Sequence, residues 1–283
     1  MALAQINIAE VHNKLVEAIR EFFANCGAKR AAVGFSGGID SAVVGALAVE
    51  ALGKENVHAL MMPSEFSTLH SIQDAVDLAE NLGIGYHIVE IAAIYKQFME
   101  ELAPVFGPNN KWNVAEENLQ ARIRGTLLMA YANKFGALVL NTSNKSELCM
   151  GYGTLYGDLA GAVMVIADLY KTEVYQLAAH INRKGIIIPL STITKAPSAE
   201  LRVGQKDSDS LPDYAILDEL LYKLRELGMS YDEVLAQGAD KEALDRVCAL
   251  LKGSAFKAHQ VPPLFNVSGL PVAYKEKLSL IHI

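Results

Sequence analysis

The stretch AAVGFSGGIDS, residues 31–41, decides how this chain folds. It opens with a short apolar run, AAVGF, of the kind that becomes a buried strand. A glycine pair follows, and glycine permits tight turns that a side chain would obstruct. Apolar residues then recur at helical spacing over Ile39–Leu52 until Gly53. The stretch therefore predicts a strand, a tight turn and a helix.

Short apolar runs and helical patterns alternate along the chain up to about residue 200. The further runs that predict strands are 57–62, 86–91, 138–140 and 162–166. Strands that alternate with helices form parallel sheets that helices cover on both faces. We therefore predict an α/β fold with a doubly wound, mostly parallel five-stranded sheet flanked by helices.

Beyond about residue 200 the strand pattern gives way to helical spacing. Patterns typical of helices cover 213–227, 231–237 and 241–251. We expect a single domain over residues 1–283, divided into an α/β nucleotide-binding core at 1–200 and a mainly helical portion at 201–283.

The turns that follow the predicted strands are the expected ligand site. In open parallel sheets, ligands bind beyond the carboxyl ends of the strands, where the strand order reverses. The turns after Phe35, Met62 and Leu140 are therefore expected to line the site.

The charge balance argues against a nucleic-acid partner. The chain has 25 Lys and Arg against 32 Asp and Glu, which gives a net charge of −7. Proteins that bind nucleic acid usually carry a basic surplus that displaces counterions from phosphates. We therefore expect small-molecule substrates and no nucleic acid.

The sequence lacks the patterns of a membrane protein or of a disulfide-bonded one. Residues 1–20 have the charged, amphipathic pattern of a helix rather than the apolar core of a signal peptide. No later run is apolar over a membrane-spanning length. Cys26, Cys149 and Cys248 lie far apart and lack metal-binding or CxxC spacing. We expect a soluble, cytoplasmic protein with no membrane partner.

Residues 36–41, Ser-Gly-Gly-Ile-Asp-Ser, combine the features of an anion-binding loop. Free N–H groups at the start of a helix point at one spot, where the helix dipole favours negative charge. Ser36 and Ser41 add hydroxyl donors. Asp40 would repel a phosphate unless a divalent cation lay between them, so it implies Mg²⁺. A glycine turn after a strand is, however, more often structural than catalytic.

The string S-G-G-x-D-S after a strand resembles the signature of the ATP pyrophosphatase superfamily, whose members carry an N-type PP-loop. Its members cleave ATP between the α and β phosphates and adenylate an oxygen atom, and a nitrogen or sulfur nucleophile then displaces AMP. The resemblance implies ATP as co-substrate. The loop residues that would bind ATP are Gly34, Phe35, Ser36, Gly37, Gly38, Ile39, Asp40 and Ser41.

A second stretch selects one group within this superfamily. Residues 141–158 resemble, in order and spacing, the T-S-N-x-S-E and G-x-x-T-x-Y-G-D segments of NAD synthetases. The chain as a whole most resembles the ammonia-dependent members of that family. Taken alone, Ser, Thr and Asn after a strand would indicate no more than a helix cap. The resemblance implies Asp40 and Glu147 as Mg²⁺ ligands, and these two with Lys171 as catalytic groups. The further ATP contacts that it implies are Thr142, Lys171 and Ser198.

The same resemblance implies a site for a dinucleotide substrate, deamido-NAD. The implied residues are Asn118, Arg122, Tyr152, Gly153, Thr154, Leu155, Asp158 and Lys257. Asn118 and Arg122 are also spaced as an i, i+4 pair on a predicted helix, where an exposed polar pair is usually just solvated. The chain departs from the family pattern at Leu155, where many members have a substrate-binding lysine, and at Ala258, where an arginine is usual.

These expectations combine into one reaction. ATP would adenylate the nicotinate carboxylate of deamido-NAD, and ammonia would then displace AMP to give NAD. Glutamine-dependent relatives carry a separate amidase domain, whereas this chain starts about thirty residues before the ATP loop, so free ammonia is the expected donor. Some motif spellings are nevertheless those of the glutamine-dependent branch, and a separate amidase subunit stays an alternative.

The resemblance also implies a homodimer. Other interpretations stay open beside the NAD synthetase reading. One is a tRNA-thiolating ATP pyrophosphatase, which would need a reactive cysteine near the adenylate. Another is a protein that binds an adenine nucleotide without catalysis.

Overall fold

The computed structural model describes residues 6–108 and 111–268. Residues 1–5 of the amino-terminal pattern and residues 269–283 of the predicted domain lie outside the described residues. The described residues form a parallel sheet flanked by helices.

Within the described ranges, all strands pair with their neighbours in parallel. Their bounds are β1 Arg30–Gly34, β2 Val57–Met61, β3 Gly85–Ile88, β4 Ala137–Asn141 and β5 Val163–Met164. Across the sheet they lie in the order β3-β2-β1-β4-β5. β2 and β3 lie on one side of β1, and the later strands β4 and β5 lie on the other, so the strand order reverses between β1 and β4. Ligands of such sheets bind at this reversal.

The helices of the described residues fall into an earlier and a later set. The earlier set is α1 Ile8–Asn25, α2 Ile39–Leu52, α3 Leu69–Leu82, α4 Ala92–Phe106, α5 Val114–Phe135, α6 Lys145–Met150 and α7 Lys171–Ile181. The later set is α8 Leu190–Thr194, α9 Tyr214–Leu221, α10 Tyr231–Ala236 and α11 Lys241–Ser254. A π-helical turn at Tyr222–Glu226 continues α9.

Side-chain caps fix where two of the helices near the site begin. The backbone N–H of Ser71 donates to the Thr68 hydroxyl at 3.1 Å at the start of α3. The N–H of Glu147 donates to Asn144 Oδ1 at 3.0 Å at the start of α6. Such caps satisfy backbone donors that the helix itself leaves free. The local sequence therefore determines where α3 and α6 begin.

The side chains of β1 divide between the two faces of the sheet. Ala31 and Val33 pack into a large apolar core that includes side chains of α1, α2 and α7. Ala32 points the other way and packs near Ala132 of α5. Adjacent residues of a strand point to opposite faces, so helices cover both sides of the sheet. The predicted doubly wound α/β fold is confirmed.

Helix α2 lies at the centre of the larger core. Val43, Val44 and Leu47 are fully buried, as expected of a helix that is apolar all round. A Cβ at Gly45 would lie 2.4 Å from the ring of Phe35. Glycine at this position therefore lets α2 approach the end of β1, which also fixes the turn between them.

The later helices build a second apolar cluster. Its fully buried members on these helices are Leu217, Leu221, Val234, Leu244 and Val247. The same cluster includes Met150 of α6 and Tyr170, which precedes α7. The helical part of the chain therefore packs directly on the helices that follow β4 and β5.

The structure also shows where sequence patterns were insufficient. Helix α4 was not predicted, because its sole buried residue is Tyr95 and it contains Pro104 near its end. The helix predicted at 213–227 is an α-helix as far as Leu221 and then widens into the π-helical turn. The division of the domain at residue 200 stays a prediction. None of the described helices is both long enough and apolar enough to cross a membrane.

We expect Leu47→Ala to lower the free energy of unfolding by about 2–5 kcal/mol, because it removes a fully buried side chain and leaves a cavity in the core. Urea unfolding followed by circular dichroism measures the loss. The control is Leu69→Ala, since Leu69 is 84% exposed and its replacement should cost less than about 0.5 kcal/mol. Equal losses for the two variants would contradict the central position of α2.

Candidate active site

The loop between β1 and α2 is shaped by its own hydroxyl groups. The Ser36 N–H donates to Ser41 Oγ at 3.3 Å, and the Gly38 N–H donates to Ser36 Oγ at 3.2 Å. Gly37 has φ +79°, and a Cβ there would lie 2.1 Å from the carbonyl oxygen of Ser71. A side chain at this position is therefore excluded by both conformation and space. The loop lies at the strand reversal, as predicted.

A buried ion-pair cluster lies beside this loop. Lys171 Nζ is 2.5 Å from Asp40 Oδ2 and 3.2 Å from Glu147 Oε1. Asn144 Nδ2 donates to the other oxygen of Asp40 at 2.9 Å. The Lys171 side chain is 3% exposed, whereas Asp40 and Glu147 are 16% and 17% exposed. The three residues predicted as catalytic thus form one cluster whose carboxylates reach the surface of the site.

Carboxyl groups outnumber the ammonium in the cluster. Burial raises the pKa of Glu147 to about 8, with further contributions from Asp40 and Asp207, although Lys171 opposes the rise. Burial lowers the pKa of Lys171, but the nearby Asp40 and Glu147 outweigh it and hold that pKa above its usual value. The lysine therefore stays charged, whereas Glu147 is largely protonated at neutral pH. A nearby cation favours the ionised form of a carboxyl group, so a cation bound here would lower the pKa of Glu147.

The donors of the cluster fit Mg²⁺ shared with a substrate. Mg²⁺ prefers oxygen ligands and is usually bound by one or two carboxylates together with substrate phosphates and water. Asp40 and Glu147 supply two such carboxylates. Among the described residues, no group of three or more His, Cys, Asp and Glu side chains is placed to hold a metal by itself. Phosphate oxygens would therefore have to complete the coordination.

The described structure adds Asp207 to the cluster. Its carboxylate accepts hydrogen bonds from the Tyr152 hydroxyl at 3.2 Å and the Tyr214 hydroxyl at 2.9 Å. The Lys171 ammonium lies 5.3 Å from the centre of the Tyr214 ring. Residues 205–214 resemble the Q-x-D-x-D-x-L-x-x-Y pattern of NAD synthetases, which predicts a segment that closes the site but assigns no individual role to Asp207.

Five of the residues predicted to bind the dinucleotide lie together beside the first half of α5. The Thr154 hydroxyl donates to Asn118 Oδ1 at 2.6 Å, and Arg122 Nε donates to the carbonyl oxygen of Leu155 at 3.2 Å. The Thr154 N–H donates to Asp158 Oδ1 at 2.7 Å. The i, i+4 pair on α5 is therefore not merely solvated, because both members hold the segment that follows α6.

Lys257 joins this group from the carboxyl-terminal side of α11. Its ammonium donates to the carbonyl oxygens of Gly151 at 2.7 Å and Gly153 at 2.6 Å. Burial lowers the pKa of Lys257, and Arg122 adds to this effect, while Asp158 opposes it. In this structure Lys257 thus fixes the backbone of the predicted substrate segment.

Arg124 also lies in this region, although sequence reasoning assigned it no role. Its Nε donates to the carbonyl oxygen of Met62 at 2.8 Å, just beyond β2. Burial lowers the pKa of Arg124 to about 10, whereas Asp158 and Glu200 raise it. A guanidinium with this pKa remains charged at neutral pH. The family-like N-x-x-x-R-x-R spacing was the signal that could have identified it.

Two predicted ATP contacts lie at the margin of the cluster. Thr142 follows β4 directly and is half-buried at the strand reversal. The Ser198 hydroxyl donates to the carbonyl oxygen of Gln205 at 2.6 Å. Its neighbour Glu200 accepts a hydrogen bond from Ser71 Oγ at 2.7 Å, and Ser71 abuts Gly37 of the loop. Ser198 is therefore linked to the anion-binding loop through a neighbouring segment rather than directly.

Comparisons with known proteins agree on one family. Residues 11–261 match the family model described as NAD synthase. A glutamine-dependent NAD(+) synthetase of Synechocystis sp. is 47% identical over 267 residues, which make up 94% of this chain and 48% of that protein. The chain spans about half the length of the curated relatives it matches.

Solved structures give the same result. A glutamine-dependent NAD+ synthetase from Acinetobacter baumannii in complex with ADP has a TM-score of 0.66 and 40% identity, covering 95% of this chain and 49% of that chain. An NH3-dependent NAD synthetase from Campylobacter jejuni has a TM-score of 0.74 and 34% identity, covering 92% of this chain and 100% of that chain. The family match over residues 11–261 and these similar structures together show that the chain belongs to the NAD synthase family.

Proposed function

We propose that this chain adenylates the nicotinate carboxylate of deamido-NAD with ATP and then amidates it with ammonia, which gives NAD, AMP and pyrophosphate. In the first step a carboxylate oxygen bonds to the α phosphorus, and the bond from that phosphorus to pyrophosphate breaks. In the second step ammonia bonds to the activated carbonyl carbon, loses a proton, and AMP leaves. The substrates supply both nucleophiles, so no side chain has to act as one.

The observation that carries this proposal is the placement of Lys171 between Asp40 and Glu147 beside the β1–α2 loop. A charged ammonium that needs no reorganisation stabilises the negative charge that grows on departing pyrophosphate. Mg²⁺ held by Asp40 and Glu147 would neutralise the phosphate oxygens further. The loop N–H groups and the hydroxyls of Ser36 and Ser41 would bind the same phosphates.

The predicted substrate residues have a consistent role in this scheme. Asn118 and Thr154 are hydrogen-bonded to one another at 2.6 Å, close to the Asp158 carboxylate that holds the Thr154 N–H. Arg122 is exposed and so has donors available for a substrate carboxylate or phosphate. Leu155 contributes an apolar side chain where many family members have lysine, so Arg122 and Lys257 would provide the positive charge on this side.

Ammonia as the nitrogen donor is supported by similarity to a solved structure named NH3-dependent, which is 34% identical to this chain. The curated relatives named glutamine-dependent are 46% and 47% identical over the segment that they share with this chain, so glutamine has to be tested as well. A separate subunit that supplies ammonia from glutamine is the alternative, and an assay with each nitrogen donor in turn distinguishes the two sources.

The two other interpretations have less support. A protein that holds a nucleotide without catalysis has no need for a buried lysine between two carboxylates at the phosphate loop. A tRNA-thiolating enzyme needs a reactive cysteine, and Cys149 is the candidate nearest to the cluster in sequence. Burial raises the pKa of Cys149 to about 11, which keeps the thiol protonated at neutral pH. The NAD synthetase reaction requires no thiolate.

We also propose a homodimer, as the family resemblance implies. Apolar side chains on α4 and α5 support it: Phe98 is 46% exposed, Met129 is 40% exposed and Phe135 is 47% exposed. Contiguous patches of exposed apolar groups mark surfaces that associate, and these side chains are the candidates for such a patch. A single domain and a cytoplasmic location stay predictions of the sequence.

Purified protein mixed with deamido-NAD, MgATP and ammonium should form NAD, AMP and pyrophosphate in equal amounts. Chromatography of the nucleotides and a coupled pyrophosphate assay measure the products. Glutamine in place of ammonium should give no NAD, because the proposed site binds ammonia directly. Absence of NAD with ammonium would reject the proposal, and formation of NAD with glutamine alone would reject ammonia as the donor.

The matched variants for this assay are Lys171→Met and Lys96→Met. Loss of the Lys171 charge should lower kcat by on the order of 10²- to 10³-fold, since preorganised charge often contributes that much. Lys96 is 78% exposed and pairs with Glu100 on the surface of α4, so its replacement should leave kcat unchanged. Asp40→Asn should lose activity comparably to Lys171→Met. Full activity of either site variant would show that the cluster is not the catalytic centre.

The thiol of Cys149 should resist alkylation in the folded protein, whereas the thiol of Cys26 should react. Cys149 is buried with a pKa raised to about 11, while Cys26 is exposed. Brief treatment with iodoacetamide at neutral pH, followed by peptide mass spectrometry, compares the two sites within one sample. Modification of Cys149 as fast as Cys26 would restore the thiolating enzyme as a competitor.

Sedimentation velocity should give the mass of a dimer for the wild-type chain. Met129→Asp should shift the protein toward monomer, because it replaces an exposed apolar side chain of α5 with a charged one. The control is Leu69→Asp, which introduces the same charge at an exposed position on α3. A monomeric wild-type protein would contradict the proposed dimer, and dimers of equal strength in both variants would exclude α5 as the interface.

A further inference from the structure

A single carboxylate joins three helices behind the proposed catalytic cluster. Asp218 of α9 is fully buried. Its Oδ1 accepts a hydrogen bond from Ser146 Oγ of α6 at 2.5 Å. Its Oδ2 accepts hydrogen bonds from the N–H of Thr172 at 2.9 Å and from Thr172 Oγ1 at 2.8 Å. The later helical part of the chain is therefore tied to the first turns of both α6 and α7.

The same hydrogen-bond network includes the backbone of Lys171, the proposed catalytic lysine. Ser146 Oγ, which donates to Asp218, also accepts a hydrogen bond from the Lys171 N–H at 2.9 Å. Ser146 directly precedes Glu147, and Lys171 directly precedes Thr172. Asp218 is thus hydrogen-bonded to one sequence neighbour of Glu147 and to one of Lys171. The side chains of Glu147 and Lys171 themselves meet at 3.2 Å.

We propose that Asp218 is a positioning residue, which fixes the first turns of α6 and α7 and thereby sets where the Glu147 carboxylate meets the Lys171 ammonium. This inference rests on the proposed function and assigns a part in it to a residue outside the predicted site. Free N–H groups at the start of α7 need an acceptor, and a carboxylate at a helix N-terminus is favoured by the helix dipole. Asp218 supplies that acceptor from a different part of the chain.

Packing alone does not require a carboxylate at this position. Leu217, Leu220 and Leu221 of the same helix are buried in the apolar cluster and already attach α9 to its neighbours. Burial raises the pKa of Asp218, while the hydrogen bonds from Ser146 and Thr172 oppose the rise. An apolar side chain would avoid this desolvation cost. The contribution specific to Asp218 is therefore the direction of its hydrogen bonds.

The direct test is Asp218→Asn. The amide has the same shape but carries no charge, and with its oxygen toward Thr172 its NH₂ group must donate to Ser146 Oγ, where the carboxylate accepts. Ser146 Oγ would then accept from two donors, the amide and the Lys171 N–H, which changes the hydrogen bonding at the start of α7. Small displacements of catalytic groups cost large factors in rate. We expect kcat to fall on the order of 10- to 100-fold, while KM for MgATP changes less than about threefold, since interactions made in the transition state are lost.

The matched control is Val247→Ala. Val247 is fully buried in the same apolar cluster on α11, so this change destabilises the same part of the chain without altering the carboxylate. If Val247→Ala and Asp218→Asn lose similar amounts of thermal stability, kcat of Val247→Ala should still stay near that of the wild type. A loss of kcat in Asp218→Asn no greater than in this control would overturn the positioning role.

Hydrogen exchange gives a readout that does not depend on activity. Backbone amides of Lys171 and Thr172, followed in peptides by mass spectrometry, should exchange faster in Asp218→Asn and at the wild-type rate in Val247→Ala. Ser146→Ala retains Asp218 and removes the acceptor of the Lys171 N–H, so the Lys171 amide should exchange faster while the Thr172 amide does not. This variant replaces Asp218→Asn in the test if Asp218→Asn does not fold. Unchanged exchange in these variants would overturn the inference. If the wild-type chain forms no NAD but the variants still differ in exchange as expected, the proposed function is rejected. The conclusion that Asp218 fixes the starts of α6 and α7 would then still stand.

Discussion

The buried contact of the Lys171 ammonium with two carboxylates is the interaction on which the rest of the site depends. Asp40 comes from the start of α2, Glu147 from α6 and Lys171 from the start of α7, so the ion pairs join segments that are distant in sequence. Buried ion pairs contribute little net stability, because desolvation offsets the attraction, yet removal of one partner leaves a costly unpaired charge. The cluster therefore constrains geometry more than it strengthens the fold.

Two kinds of support hold that geometry. The parallel sheet brings the turns after β1 and β4 to one edge, where the order of the strands reverses. The later helices contact the cluster from beyond the sheet. The ring of Tyr214 lies against the Lys171 ammonium, and its hydroxyl donates to Asp207. Asp218 accepts hydrogen bonds from the starts of α6 and α7. A region that is mainly helical and far from the strands thus contributes directly to the site. The segment between β5 and α7 contributes to both apolar clusters, with Val165 and Leu169 in the first and Ala167 and Tyr170 in the second.

The balance of charge suits a reaction of anions. Carboxylates outnumber the ammonium, and the raised pKa of Glu147 reports the resulting repulsion together with burial. A site strained in this way is relieved by a cation that arrives with phosphate, so affinity for metal and for nucleotide would be coupled. Basic groups are more numerous on the proposed substrate side: Arg124 and Lys257 interact with the Asp158 carboxylate, and Arg122 interacts with Lys257. The two parts of the site therefore differ in which charged groups are more numerous, which would suit Mg²⁺ with ATP in one part and an anionic substrate in the other.

The sequence by itself determined the alternation of strands and helices and the turn at the glycine pair, because these depend on local patterns. The resemblance to a family pointed to Asp40, Glu147 and Lys171, whose contact joins distant segments. Residue spacing could not reveal the contacts of Asp207 with Tyr152, of Arg124 with Met62 or of Asp218 with Ser146, nor the use of Lys257 to hold the carbonyl groups of Gly151 and Gly153. Each of these contacts joins residues that lie tens to more than a hundred positions apart in the chain. A side chain's partner at that separation is chosen by how helices pack on the sheet, and that choice exists only once the tertiary structure has formed.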